Sequence, residues 1–319
     1  MASTVAALDC GSNSTRLFIV DGARGARARQ TRITRLSAGV DEHATLREDA
    51  MERTFAVLRE YRRAMDDERV DRGLLVATSA VRDARNGQDF LARAGEIVGV
   101  EARILSGNEE ATFSYDGATA DLPPSPRPPL IVDIGGGSTE LAVVVDDDLR
   151  SFSMQLGCVR VAERALGVDV VTPERRAAAE AMIERELDRA FASEPRLREV
   201  VGAARLVGLA GTVATLVALE RAQSTYDRAA LHHQTLTRDQ VEYWRERLGA
   251  ETPAVRLTHP GMTEGREDVL TAGLFVLSAV MARFEVDEVL SSESDILDGM
   301  AASMLAQSSP GSASVTMEL

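Results

Sequence analysis

One segment of this chain occurs twice, and that duplication limits what the chain can fold into. Leu8-Asp9-Cys10-Gly11-Ser12-Asn13-Ser14-Thr15-Arg16-Leu17 aligns with Val132-Asp133-Ile134-Gly135-Gly136-Gly137-Ser138-Thr139-Glu140-Leu141, with Asp, Gly, Ser, Thr and Leu in register. Apolar runs precede each copy (residues 5–8 and 130–132) and follow it (17–20 and 141–145). An apolar run, a glycine-rich turn and a second apolar run predict a β-hairpin, not the strand-to-helix passage of a Rossmann or P-loop unit. Five of the ten prolines, Pro123, Pro124, Pro126, Pro128 and Pro129, cluster between the copies. Such a run suits neither helix interior nor central strand and predicts an extended, semi-rigid connector. Repeat and connector together divide the 319 residues into a domain over 1–122 and a related one over 130–294, with 307–319 a Ser- and Gly-rich loose tail.

Between the hairpins the pattern turns helical. Met51, Phe55, Leu58, Tyr61 and Met65 recur at helical spacing within 46–70. Residues 73–78 predict a buried strand, after which Asn86 can cap a helix running to residue 97. A strand is expected at 101–105 and a helix from 109. In the second half, Thr172-Pro173 opens a helix with proline at its first position, and Thr237-x-x-Gln240 forms a capping box. A strand at 206–210 leads through Gly211-Thr212 into an apolar helix at 213–219. Strands and helices alternating in both halves predict an α/β fold.

Composition excludes several chemistries. The chain has no lysine; its 36 basic residues are all arginine. Walker P-loops, Schiff-base enzymes and Ser-x-x-Lys hydrolases each need that lysine. Cys10 and Cys158 are the only cysteines, and none of the four histidines is paired at i, i+4, so neither a disulfide framework nor a helical zinc pair is available. A net charge of −14 argues against nucleic-acid or anionic-membrane partners. Residues 1–4 do not resemble a signal peptide and no apolar stretch approaches a membrane span, so a cytoplasmic protein is expected.

Glycine-rich hairpin turns leave backbone N–H groups free to converge on an anion, and neighbouring hydroxyls add donors. Gly11, Ser12, Asn13 and Ser14 in one copy and Gly135, Gly136, Gly137 and Ser138 in the other are therefore expected to bind phosphate. Asp9 and Asp133 end the preceding strands, where a hard cation such as Mg²⁺ beside a phosphate finds its oxygen ligands.

The two turns resemble the phosphate motifs of the actin, Hsp70 and sugar-kinase superfamily. More narrowly, the chain resembles the exopolyphosphatase/guanosine pentaphosphate phosphohydrolase family over residues 6–302. Ala77-Thr78-Ser79-Ala80-Val81-Arg82-Asp83-Ala84, Gly107-Asn108-Glu109-Glu110-Ala111, Leu156-Gly157-Cys158-Val159-Arg160, Gly208-Leu209-Ala210-Gly211-Thr212 and Arg266-Glu267-Asp268 carry the likeness. The resemblance implies two actin-like (ribonuclease H-like) domains around a cleft, Mg²⁺ dependence, and hydrolysis of a terminal phosphate from a polyanion. It makes Glu110 the base that activates water, and Asp133, Glu140 and Asp9 the metal ligands or their water-mediated partners. Arg82 is expected on phosphate; Arg160 and Arg266 are divided between phosphate contact and ion pairing. Both cysteines are expected to pack, and His232 and His233 receive no role. A helix at 295–306 is expected to cross back to the first domain, with hinges at 123–129 and after Ser292.

The expected activity is exopolyphosphatase. A two-domain short form without the helical His-Asp domain of longer relatives is expected, and the chain is strongly acidic, so short polyphosphates are the expected substrates. Guanosine pentaphosphate 5′-phosphohydrolase, a non-hydrolytic alarmone sensor and a sugar-kinase-like enzyme are the alternatives. The family also makes a homodimer plausible.

Overall fold

The computed structural model describes residues 3–307; of the expected tail at 307–319, residues 308–319 lie outside them, and Gln307 instead closes the last helix. Both repeated segments form antiparallel hairpins. In the first half these are β1 (Thr4–Cys10) and β2 (Ser14–Asp21), extended by β3 (Gly25–Ile33); β4 (Arg72–Ala77) and β5 (Glu101–Ile104) complete a sheet of order β3-β2-β1-β4-β5. In the second half, β6 (Pro129–Ile134), β7 (Thr139–Val145) and β8 (Asp148–Met154) repeat the meander, joined by β9 (Arg205–Leu209), β10 (Thr235–Thr237) and β11 (Glu288–Ser291). Its order is β10-β11-β9-β6-β7-β8. β6 pairs antiparallel with β7 and parallel with β9, just as β1 pairs with β2 and β4. Apart from the edge strand β10, the two sheets have the same plan.

Several local expectations hold. Pro173–Ser193 is a helix whose Thr172 cap accepts from the Arg175 N–H, and Thr237 and Gln240 form the capping box of Arg238–Gly249. Others shift. The Gly87–Val98 helix follows Asn86, yet that side chain bridges the N–H and C=O of Leu46 instead of capping. Helix Ala210–Glu220 starts directly from β9, with Ala210 at positive φ, where a Gly-Thr turn was expected. The proline-rich connector ends one residue early, because Pro129 opens the interior strand β6. Proline is tolerated at a strand's first position.

Two helices exchange sides. The Gly107–Thr119 helix belongs by chain order to the first half, but Ala111 and Ala118 pack against Ile131, Ala142, Val207 and Leu209 of the second sheet. The Ile296–Gln307 helix returns as expected, burying Ile296, Leu297, Met300 and Met304 against Val5, Ala7 and Val76 of the first sheet. These two helices touch through glycines. A Cβ on Gly117 would stand 1.9 Å from the Asp295 carbonyl oxygen, and one on Gly299 2.1 Å from that of Phe113. No helix among the described residues is long and apolar enough to cross a membrane.

A methyl group at either glycine meets backbone that cannot give way. Gly299→Ala is expected to lower the unfolding free energy in urea by about 3 kcal/mol, the cost of overpacking. Gly249→Ala, where the nearest neighbour is a Val171 methyl at 3.7 Å, should be neutral or mildly stabilising. Equal effects at the two positions would refute the close helix contact.

Candidate active site

A cavity of about 710 Å³ lies between the sheets, lined by residues 11–14 of the first glycine turn, Gly135, Gly136 and Ser138 of the second, Glu110, the Thr78–Ser79 corner, Ala210–Gly211 and Arg266; Gly137 is not among its lining residues. The two turns are built alike. Gly11 N–H donates to the Ser14 carbonyl and Gly135 N–H to the Ser138 carbonyl, each at 3.0 Å. The N–H groups of Ser12, Asn13, Gly136 and Gly137 donate to no protein acceptor among the described residues. Asn13 Nδ2 is likewise buried without a partner. These are the free donors that an anion requires. The turns also touch: a Cβ on Gly136 would lie 2.8 Å from that of Ser12, and Ser12 Oγ bonds Ser79 Oγ at 3.0 Å.

The hairpins differ at one register position. Asp9 stands opposite Arg16, whereas Asp133 stands opposite Glu140. Arg16 binds Asp9 Oδ2 through Nε at 2.9 Å and Nη2 at 2.6 Å, while its Nη1 reaches Asp295 at 2.6 Å. Arg29 completes this network on Asp295 and Asp298. Asp9 is thus held by an arginine, and only its Oδ1, buried and unpartnered, remains for a cation.

Among the described residues, no arginine pairs with Asp133 or Glu140. Burial pushes Asp133 up to about 6, against lowering by Arg16 and a hydrogen bond from Ser114. Glu140 is pushed up to about 7 by burial and by Asp133, although Ser153 and Ser138 donate to it. Glu110 is raised well above the usual carboxylate range by burial and then by Glu140. These carboxylates cannot all ionise without a counter-charge, and hard oxygen donors of this kind suit a divalent cation such as Mg²⁺; Asp9, Glu110 and Asp133 line the cavity, whereas Glu140 does not.

Glu109 and Glu110 are adjacent but have different roles. Glu109 reaches back to Ser106 in a capping box and pairs with Arg103 at 2.5 Å on the surface. Glu110, one residue on, is buried and lines the cavity. Arg82 stands behind it, its Nη1 donating to the Leu105 carbonyl at 2.9 Å and lying 3.5 Å from Glu110 Oε2. It accompanies the acid and is not among the residues lining the cavity.

Arg160 takes the ion-pair reading. It bonds Asp83 at 2.6 Å, approaches Asp41 at 3.4 Å and reaches Gln155, so it fastens the second half to the first. Arg164–Asp41 and Arg35–Asp268 also bridge the halves. Arg266 lines the cavity against Gly211 with no carboxylate partner among the described residues. Cys10 and Cys158 are buried as expected.

Among the described residues, the group of three acids or histidines whose ligand atoms lie within 4.8 Å of one another is Asp121, His232 and His233, away from the raised carboxylates. His232 Nδ1, however, accepts the Glu293 N–H at 3.0 Å. The ring proton is therefore on Nε2, facing Asp121 at 3.2 Å, which makes this a hydrogen-bonded cluster and leaves no lone pair there for a metal.

A model of the Ppx/GppA phosphatase family matches residues 19–308. Exopolyphosphatase 2 of Mycobacterium tuberculosis is 37% identical over 318 residues, covering 94% of this chain and 98% of the relative. The crystal structure of an exopolyphosphatase-like protein superposes with a TM-score of 0.90 at 32% identity, covering 96% of this chain and all of the other. A family member from Aquifex aeolicus gives 0.78 at 29% identity, covering 97% of this chain and all of the other.

The raised carboxylates have a consequence for stability. Between the pKa of the unfolded chain and those of Asp133 and Glu140, the folded state holds more protons, so stability falls as pH rises through that window. The melting temperature of metal-free protein is expected to drop between about pH 5 and about pH 8, with Mg²⁺ raising it more at the higher pH. A melt indifferent to Mg²⁺ at the higher pH would argue against a cation at these carboxylates.

Proposed function

The chain belongs to the Ppx/GppA phosphatase family, and from that premise we propose that it is an exopolyphosphatase releasing orthophosphate from the ends of inorganic polyphosphate. The observation that carries this reading is the buried Glu110, facing the same cavity as the free N–H groups of both glycine turns. A phosphate held by those donors brings its phosphorus next to a carboxylate of raised pKa, which suits a general base for water. Arg82 offsets the charge of Glu110 without competing for phosphate.

Asp133 and the free oxygen of Asp9, both lining the cavity, would hold Mg²⁺, with Glu140 facing Asp133 across the hairpin. Bound there, the ion supplies charge neutralisation on the phosphoryl oxygens. The turns orient the terminal phosphate, and Glu110 takes the proton of the attacking water. The leaving group is a polyphosphate shortened by one unit.

Short chains are the proposed substrates. Arg16, Arg29 and Arg228 line the cavity but are engaged with acidic residues; Arg32 and Arg266 are the lining arginines without a carboxylate partner among the described residues. Two free guanidinium groups match a few phosphates, not a long polyanion. The protein is proposed to act in the cytoplasm.

Glu110→Gln is expected to lower kcat for orthophosphate release from short polyphosphate by about 10² to 10⁴, with KM little changed. Release by the wild type from guanosine pentaphosphate alone, or an unimpaired glutamine variant, would overturn the substrate or the base assignment respectively.

A further inference from the structure

Ser114 is absent from every motif that points to the site, yet its side chain joins two of the site's elements. It is fully buried on the Gly107–Thr119 helix, four residues beyond Glu110 and hence on the same face one turn later. Its Oγ donates to Asp133 Oδ2 at 2.7 Å, and no other protein donor to that carboxylate is found among the described residues. We propose that Ser114 is a positioning residue for the cation-binding carboxylate, fixing Asp133 against the helix that carries Glu110.

The geometry supports more than a packing role. The helix is set at its N-terminus by the Ser106–Glu109 capping box and near its other end by the Gly117–Asp295 contact, so its position does not depend on Ser114. Packing alone would be met by alanine, since the neighbours Ala111 and Ala118 pack on the same sheet. The hydroxyl adds a directed hydrogen bond that occupies Oδ2 and leaves Oδ1 as the oxygen available to a cation. Ser153 does the same for Glu140, donating to Oε1 at 2.7 Å from β8. Each of the facing carboxylates is thus oriented by a serine from a neighbouring element, the arrangement by which outer hydrogen bonds hold metal-ligating side chains in place. Glu110 and Asp133 come from different halves of the chain, and the Ser114 bond ties the strand of Asp133 to the helix that carries Glu110.

The inference rests on the cation reading of the site, so its test separates the two. Binding of Mn²⁺ alone, followed by electron paramagnetic resonance, is compared in wild type, Ser114→Ala and Ser114→Cys, the last matching serine in size but donating weakly. Both variants are expected to bind Mn²⁺ about 10-fold or more weakly than wild type. Their melting temperatures without metal should stay close to that of wild type. At saturating cation, KM for short polyphosphate should be unchanged and kcat reduced. Wild-type affinity in either variant would overturn the role of Ser114. Failure of the wild type itself to bind Mn²⁺ would overturn the cation site. A wild type that binds Mn²⁺ but releases no phosphate would overturn the proposed activity while the variant comparison still decides Ser114.

Discussion

Asp133 and Glu140 face each other on paired strands with no arginine in contact among the described residues, and the rest of the site is arranged around that unneutralised pair. The first hairpin shows the contrast, because there the same register position holds Arg16, which binds Asp9 and Asp295. One structural plan thus serves two ends. The first copy is an internally balanced salt bridge that ties sheet to helix. The second keeps excess negative charge in a buried place, where it costs energy unless protons or a cation occupy it. Glu110 adds a third carboxylate to this deficit, and Arg82 offsets only part of it.

The exchange of helices explains how acids from both halves of the chain meet. Had the Gly107–Thr119 helix stayed on its own sheet, Glu110 and Ser114 could not face Asp133. Two glycines let it lie against the returning Ile296–Gln307 helix at backbone distance, so the pair fills the space between the sheets. Asp295, at the start of that returning helix, is also the acid shared by Arg16 and Arg29. The contact that closes the fold and the network that balances Asp9 are therefore adjacent.

Much of this was legible in the sequence because it depends on local pattern. The repeated Asp-x-Gly-x-x-Ser-Thr segment gave both hairpins, and helical spacing with capping residues gave the long helices. The resemblance picked out Glu110 from an Asn-Glu-Glu run that composition treats as two equivalent helix-start acids. What escaped notice depends on contacts distant in sequence. The strands β3 and β8 are edge strands of mixed polarity, without the apolar alternation that betrays a buried one. Arg160 sits in a family motif, but only the fold reveals Asp83 and Asp41 beside it. Ser114 carries no signal at all, being one small residue among several on its helix. The difference between Arg16 and Glu140 was visible in the alignment of the two copies, though its meaning needed the register.

The contact between the two glycine turns has one more consequence. With Gly136 against Ser12, and Ser12 joined to Ser79, the cradle has a back wall. On that side the two turns leave no gap for a chain to pass between them. Shape at the cradle itself then favours a chain end over an internal linkage, beside any group that reads the end.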